Sequence, residues 1–377
     1  MYWNKLNVKM RTMRRKEIIK IIVILLLTLP QLVSGQFTET RQISKRFKIT
    51  PETRIELTNK YGKIEFNAWE KDSVVINIEI SVEDKKLSKL EKSLDNIDFE
   101  TISNPNFLIV RTVVGDNMGS IEKELQKLME TVFQASGNME INYSVWLPIT
   151  NELKVENKFG DIYIGDYSGD IEIDLSNGNL KSHDFDGKTK ITLNFGDATI
   201  NNIKNGTFEC NYGEVYLKDA DKLHISSKSS EFEINNISDL STESRRDKFR
   251  IKKADLVDAK GSFSNFRLSE LTDRAILRVE YGDIEIEKIA NDFSSVYIES
   301  NSTDIDLYFN NNSKFNFEIT NTKSETRFGQ KINIDSEETL DEKEKKVKLT
   351  GSYGEKAENA KLYINAVGGE IGIHSDN

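Results

Sequence analysis

The sequence has almost no cysteine and almost no histidine: one of the first, Cys210, and three of the second, His183, His224 and His374, among 377 residues. A single thiol excludes an intrachain disulfide, so packing and backbone hydrogen bonds must hold the fold. The three histidines are scattered, no pair has metal-ligand spacing, and none sits beside a distinctive serine as a nucleophilic triad requires. A glycine-rich phosphate loop and a G-x-S-x-G elbow are also missing. No catalytic, cofactor-binding or metal-binding residue is assigned from the sequence, and no cofactor is expected.

Long apolar runs are missing too. The one run, Ile18 to Leu29, is interrupted by Lys20 and Thr28 and ended by Pro30. It is far shorter than the roughly 20 apolar residues that a bilayer needs. Seven basic residues between Lys5 and Lys20 precede or enter it, and Val33-Ser34-Gly35 follows it. A basic start, a short apolar stretch and a small-residue exit are the parts of a secretory signal. Residues 1–35 are therefore expected to be a cleaved signal peptide, with Gln36 as the new N-terminus and no membrane span after cleavage. The expected location is the periplasm or the cell surface. The whole chain has 52 basic and 62 acidic residues, of which 7 and 1 lie in that segment, leaving 45 and 61 and a formal charge of −16. A field of that sign excludes nucleic acid and anionic lipid surfaces as general partners.

What the sequence does have is a repeat. The phrase Asn157-Lys158-Phe159-Gly160-Asp161-Ile162 returns around Gly178, Gly196 and Gly213, then in degenerate form around Ser230, Asp247 and Ser264, and again around Gly282 and Thr303. Those markers are separated by 18, 18, 17, 17, 17, 17, 18 and 21 residues. Within each unit apolar residues alternate with polar ones, the period of a strand. One column reads Ile162, Leu180, Ala198, Val215, Phe232, Phe249, Phe266, Ile284, Ile305, and Cys210 falls in phase with Leu175 and Leu193 on a second strand. This predicts an all-β chain, a β-solenoid of two short strands per 17–18-residue turn, right-handed by the general preference for parallel crossings. Cys210 is expected in its core.

The glycines read as corners that tolerate positive φ. Asp161, Asn179, Asp197, Glu214, Glu231, Asn265, Asp283 and Asp304 follow the markers as a polar ladder. It admits two readings, a calcium or carbohydrate site, or turn chemistry that blunts edge association. Tyr163, Tyr167 and Tyr216 fall at outward phases where rings can stack on sugars. Phe159, Phe195, Tyr212, Phe263 and Tyr281 precede the markers and are expected to stack on one another.

The phrase also occurs early, around Gly62, and late, around Gly369, and is lost between Gly62 and Gly160. In that gap residues 72–82 and Phe107–Val110 read as strands, and Met139–Leu147 as a third. Leu87, Leu90, Leu94 and Ile97 mark one helix and Ile121, Leu125, Leu128 and Val132 a second. The expected division is residues 36–147 as a β-rich part with a helical insert or cap, 148–310 as regular solenoid, and 311–377 as C-terminal turns and cap. The charge run at 335–347 reads as a solvated loop.

The recurring Asn-Lys-Tyr/Phe-Gly phrase, Trp69 after Phe66, and the helix-bearing insert before Tyr143-Ser144-Val145-Trp146-Leu147-Pro148 together resemble the bacterial putative-adhesin family of exported β-solenoid proteins, a domain of unknown function. The likeness covers most of residues 36–377. It implies a β-helix-like fold outside the cytoplasmic membrane and carries over no catalytic residue. The expected function is a non-catalytic, adhesin-like cell-envelope protein binding a glycan or a protein on a solenoid face. The alternatives are a carbohydrate-active β-helix, lyase or hydrolase, working through paired carboxylates, and a structural or regulatory envelope component.

Overall fold

A computed structural model describes residues 36–115, 139–357 and 360–375. The expected signal peptide and the second helix of the insert lie outside these residues. The described chain is almost all β: 25 strands in one mixed, open sheet, with a single helix among the described residues, α1 (Leu87–Asp95).

The repeat becomes a parallel ladder. Strands β11 (Leu180–Asn194), β12 (Ala198–Asn211), β13 (Glu214–Lys228), β14 (Glu231–Arg245), β15 (Lys248–Ser262) and β16 (Asn265–Glu280) pair in sequence, each in parallel with the next. The register follows the period, so that Ala198 faces Val215, Val215 faces Phe232, and Phe232 faces Phe249. One strand of 14–16 residues therefore spans most of a turn, where the sequence suggested two short ones. The reason lies in the bends. Only the marker corner contains a left-handed residue; at the second bend no residue has positive φ, and the ladder runs through with a skipped pair at most turns.

The turns are filled by complementary volumes. Phe232, Phe249 and Phe266 are buried and stack at 4.9 and 5.0 Å between centroids. That spacing is the strand separation itself, about 4.8 Å. In the same turns the column two residues before the left-handed corner is small: Ser227, Ser244, Gly261. A Cβ on Gly261 would lie 2.7 Å from the Phe266 ring. Earlier turns reverse the assignment, with Leu193 before the corner and Ala198 after it, both buried. Cys210 belongs to this column, fully buried, and burial pushes its thiol up to about 11.

At both ends the ladder pairs with strands from elsewhere in the chain. β2 (Arg54–Lys60) pairs in parallel with β8 (Leu153–Lys158) on one side and β6 (Phe107–Val114) on the other. The Gly62 corner thus stacks directly on the Gly160 corner. Buried Asn157 bonds the carbonyls of Gly62 and Gly160, both at 2.9 Å, and buried Asn59 bonds Ile141 O at 2.9 Å. This accounts for the asparagine of the recurring phrase. At the other end β24 (Lys361–Val367) inserts between β18 (Ser295–Asn301) and β20 (Phe315–Thr322), so the Gly369 turn sits between the turns of Thr303 and Ser324.

The charge run is not a loop. It forms most of a hairpin, β22 (Ile332–Asp341) and β23 (Lys346–Tyr353), antiparallel to each other, with β23 also antiparallel to β20. Residues 333–345 are all exposed. Because both faces of the β22 arm meet water, it carries no apolar alternation and its sequence gives no strand signal.

Candidate functional site

The marker corner is the most unusual part of the backbone. The residue before each marker is left-handed: Tyr61, Phe159, Asn177, Phe195, Tyr212, Ser229, Arg246, Phe263, Tyr281, Ser302 and Lys323 have φ between 49° and 64°. The marker glycines Gly160, Gly178, Gly196, Gly213 and Gly282 are not at positive φ, which corrects the expectation that they serve this need. Their reason is close approach. A Cβ on Gly178 would lie 2.1 Å from Gly160 O, and one on Gly196 would lie 1.9 Å from Gly178 O.

Two kinds of corner follow. At Gly62, Gly178, Gly196, Gly213 and Gly369 the N–H of the next residue donates to a side chain of the neighbouring turn: Lys63 to Asn142, Asn179 to Asp161, Asp197 to Asn179, Glu214 to Asp197, Glu370 to Asp304. At Ser230, Asp247, Ser264, Thr303 and Ser324 the same N–H donates to the neighbouring marker's carbonyl, as in Glu231 to Gly213 O, Lys248 to Ser230 O and Glu325 to Gly369 O. Members of the polar ladder thus serve as hydrogen-bond acceptors for the corner backbone, the turn-chemistry reading. Among the described residues no group of three or more His, Cys, Asp or Glu is placed to hold a metal ion.

A left-handed backbone costs an L-residue about 1–2 kcal/mol, yet bulky rings occupy it here. Phe195 stacks on Tyr212 at 5.0 Å and 1°, and Phe263 stacks on Tyr281 at 5.0 Å and 15°. Tyr61 and Phe159 form a third pair at 5.6 Å. The stacking expected from the sequence is present, but these rings are not packed away: Phe195 is 57 % exposed and Phe263 51 %. Stacking recovers about 0.5–1.5 kcal/mol per pair, less than the strain of two left-handed residues.

Of the three tyrosines proposed as outward rings, Tyr216 is exposed and accepts a hydrogen bond from Asn235, while half-buried Tyr163 donates to Asp161. Tyr167 is buried and donates to Asn151 O at 2.6 Å, so it belongs to the core. The histidines stay separate: His183 lies by Asp166, His224 bonds Ser241, and His374 bonds Asp306 and stacks on Tyr308.

The sequence reading missed the corner at Arg245 and Arg246. Here the aromatic column is interrupted by Ser229 and Arg246, and a depression opens on each side. One, of about 440 Å³, is lined by Tyr212, Glu214, Ser229, Glu231, Arg246 and Lys248. The other, of about 700 Å³, runs over the opposite face past Arg245, Lys260, Arg278, Glu280 and Glu299. The signal for this corner was the marker Asp247, an acid where other turns have Gly, Ser or Thr. Its buried carboxylate accepts from Ser230 N at 2.7 Å, the Ser227 hydroxyl at 2.8 Å and Arg245 N at 2.8 Å, and so fixes the corner backbone.

Burial pushes the Asp247 carboxyl above its ordinary range, with those three donors opposing the shift. A raised folded pKa means that the proton binds more tightly in the folded chain. The associated stability is fully present below about pH 4 and is lost as pH rises through the folded pKa. The stability of the wild type relative to Asp247→Asn should therefore be most favourable near pH 4 and decline toward neutral pH, as read from urea midpoints. A relative stability that grows toward neutral pH would show that the donors outweigh burial.

No known protein family and no curated protein matches the chain. Solved structures similar to it include a putative cell adhesion protein from Clostridium sporogenes, 10 % identical over 90 % of this chain and 100 % of that one, with a TM-score of 0.22. A putative adhesin from Bacteroides fragilis is 10 % identical over 71 % of this chain and 97 % of its own, with a TM-score of 0.30. A putative lipid binding protein from Parabacteroides distasonis is 11 % identical over 71 % and 93 %, with a TM-score of 0.28.

Proposed function

We propose that the chain is a non-catalytic, exported cell-envelope protein whose parallel ladder winds as a β-solenoid and whose marker corner binds an envelope polymer along its length. The observation that carries this reading is the exposed rows of stacked rings held in left-handed backbone. Strain kept at an exposed position, and only partly offset by stacking, is a feature of binding surfaces. Carboxylates of the ladder, such as Asp161, Asp197 and Asp304, are engaged as acceptors for backbone N–H groups, which supports a binding role over hydrolysis. In this reading residues 1–35 direct export, 36–147 and 311–377 close the two ends, and 148–310 present the binding edge.

The test compares the mature chain with the variant Phe195→Ala/Tyr212→Ala/Phe263→Ala/Tyr281→Ala on immobilised envelope polysaccharides and proteins. The exposed rings predict retained folding and lost binding, with no reducing ends released by either protein. Equal binding by the variant, or steady release of reducing ends by the wild type, would overturn the reading. In cells, a mature protein that begins at Gln36 in the envelope fraction is expected; an uncleaved chain in the cytoplasm would contradict export.

A further inference from the structure

The edge formed by the marker corners has an order that its binding role alone does not require. Consecutive turns present Phe195, Tyr212, Ser229, Arg246, Phe263 and Tyr281, linked by Tyr212 N to Lys228 O, Ser229 N to Arg245 O and Arg246 N to Ser262 O. Two aromatic pairs thus flank a two-turn break. At about 4.8 Å per turn, Tyr212 and Phe263 stand roughly 14 Å apart. After the thickness of the rings, that leaves room for two flat layers.

The break holds Arg246 and Lys248 on one depression and Arg245 on the other. Residues 245–253 hold Arg245, Arg246, Lys248, Arg250, Lys252 and Lys253 against one acid, Asp247, which is buried and turned inward to its three donors. Arg250 pairs with Glu231, whereas no carboxylate among the described residues lies within ion-pair distance of Arg245, Arg246 or Lys248. Lys228 extends over the Tyr212 ring, 5.8 Å from its centroid. Of the acids on the same depression, Asp197 accepts from Glu214 N and Glu231 pairs with Arg250, so Arg246 and Lys248 stay beside each other without an ion-pair partner among the described residues. They repel one another, and that cost is relieved when an anion binds.

We infer that this corner binds an acidic polysaccharide, one whose pyranose rings carry carboxylate or sulfate groups. The inference rests on the binding role proposed above and names its ligand class. Arg246 suits planar carboxylate or tetrahedral sulfate through paired N–H donors, with Lys248 beside it as a second cation. The outer faces of Tyr212 and Phe263 suit the apolar faces of sugar rings. Glu214 and Glu231, on the same depression as Arg246, can accept hydrogen bonds from sugar hydroxyls.

The experiment measures binding of oligogalacturonate to the mature chain by calorimetry, beside its methyl-esterified analogue, an oligoglutamate and a single-stranded oligonucleotide of equal charge. Arg246→Asn keeps a residue that tolerates left-handed backbone, so folding is retained, and Tyr212→Ala removes only an exposed ring. The expected result is preference for oligogalacturonate over all three competitors, at least a tenfold loss with Arg246→Asn/Lys248→Gln, and at least a fivefold loss with Tyr212→Ala. Equal binding of the oligoglutamate or the oligonucleotide with no effect of Tyr212→Ala would overturn the inference, since charge alone would then explain the affinity. Binding of neutral polymers that needs the aromatic pairs but ignores Arg246→Asn/Lys248→Gln would overturn it and leave the broader role standing. Loss of neither kind of binding in the four-ring variant would remove both.

Discussion

Phe249→Ala is expected to cost about 3–5 kcal/mol, the range for emptying a fully packed aromatic site. Phe249 is the middle ring of the buried stack and touches Phe232 and Phe266 on its two faces. The inward residues just before its corner, Thr242 and Ser244, are small, so little can move in to fill the space. The effect should appear as a large fall in the urea midpoint. By contrast Phe195→Ala, at an exposed ring, should change it by no more than about 0.5 kcal/mol. The complementarity has its own check. Gly261→Val forces a side chain against Phe266, and Phe266→Leu should recover part of that loss in the double mutant. Additive effects would mean that the two positions do not share the volume.

Gly178→Val carries the second large effect, about 3 kcal/mol or more, because the new side chain meets backbone and not a mobile side chain. Its Cβ would fall 2.1 Å from Gly160 O and 2.7 Å from Gly160 C. Relief requires the turn to move, and moving it breaks the 2.8 Å bond from Asn179 N to Asp161. Gly178→Ser should be milder, since Ser230, Ser264 and Ser324 show a corner that accepts a Cβ by passing the hydrogen bond to the marker carbonyl. Neighbouring turns share every interface, so the loss should spread along the ladder and not stay local. Valine tolerated within about 0.5 kcal/mol would refute the close-approach account.

The period, the inward columns and the place of Cys210 were legible because each turn repeats the same alternation of apolar and polar residues. The first of the two expected helices was legible for the same kind of reason, with Leu90 and Leu94 buried on one face of α1. Other features were hidden because their cause lies between turns. Nothing local to Gly62 and Gly160 says that residues 98 apart in the chain are stacked neighbours; the recurrence of Asn59 and Asn157 was the only trace. The left-handed residue was misplaced by one position because glycine is the usual carrier of positive φ, whereas Phe195 and Tyr212 hold it against their own preference. Tyr167 looked outward by phase, but its hydroxyl reaches Asn151 O inside the turn. The Arg245–Arg246 corner escaped notice because its meaning depends on Asp247 pointing inward, leaving the cations unpaired outside.

The buried, unreactive Cys210 makes the decisive measurement simple, because an added surface cysteine is then the only thiol that a maleimide can reach in the native chain. Ser229→Cys places one in the break between the aromatic pairs, and Ser336→Cys places one on the exposed hairpin. The labelling rate of each is measured with and without saturating oligogalacturonate. Binding at the corner predicts that Cys at 229 is slowed at least tenfold while Cys at 336 is unchanged. An unchanged rate at 229, or protection at 336 instead, would contradict the assignment of this edge as the binding surface.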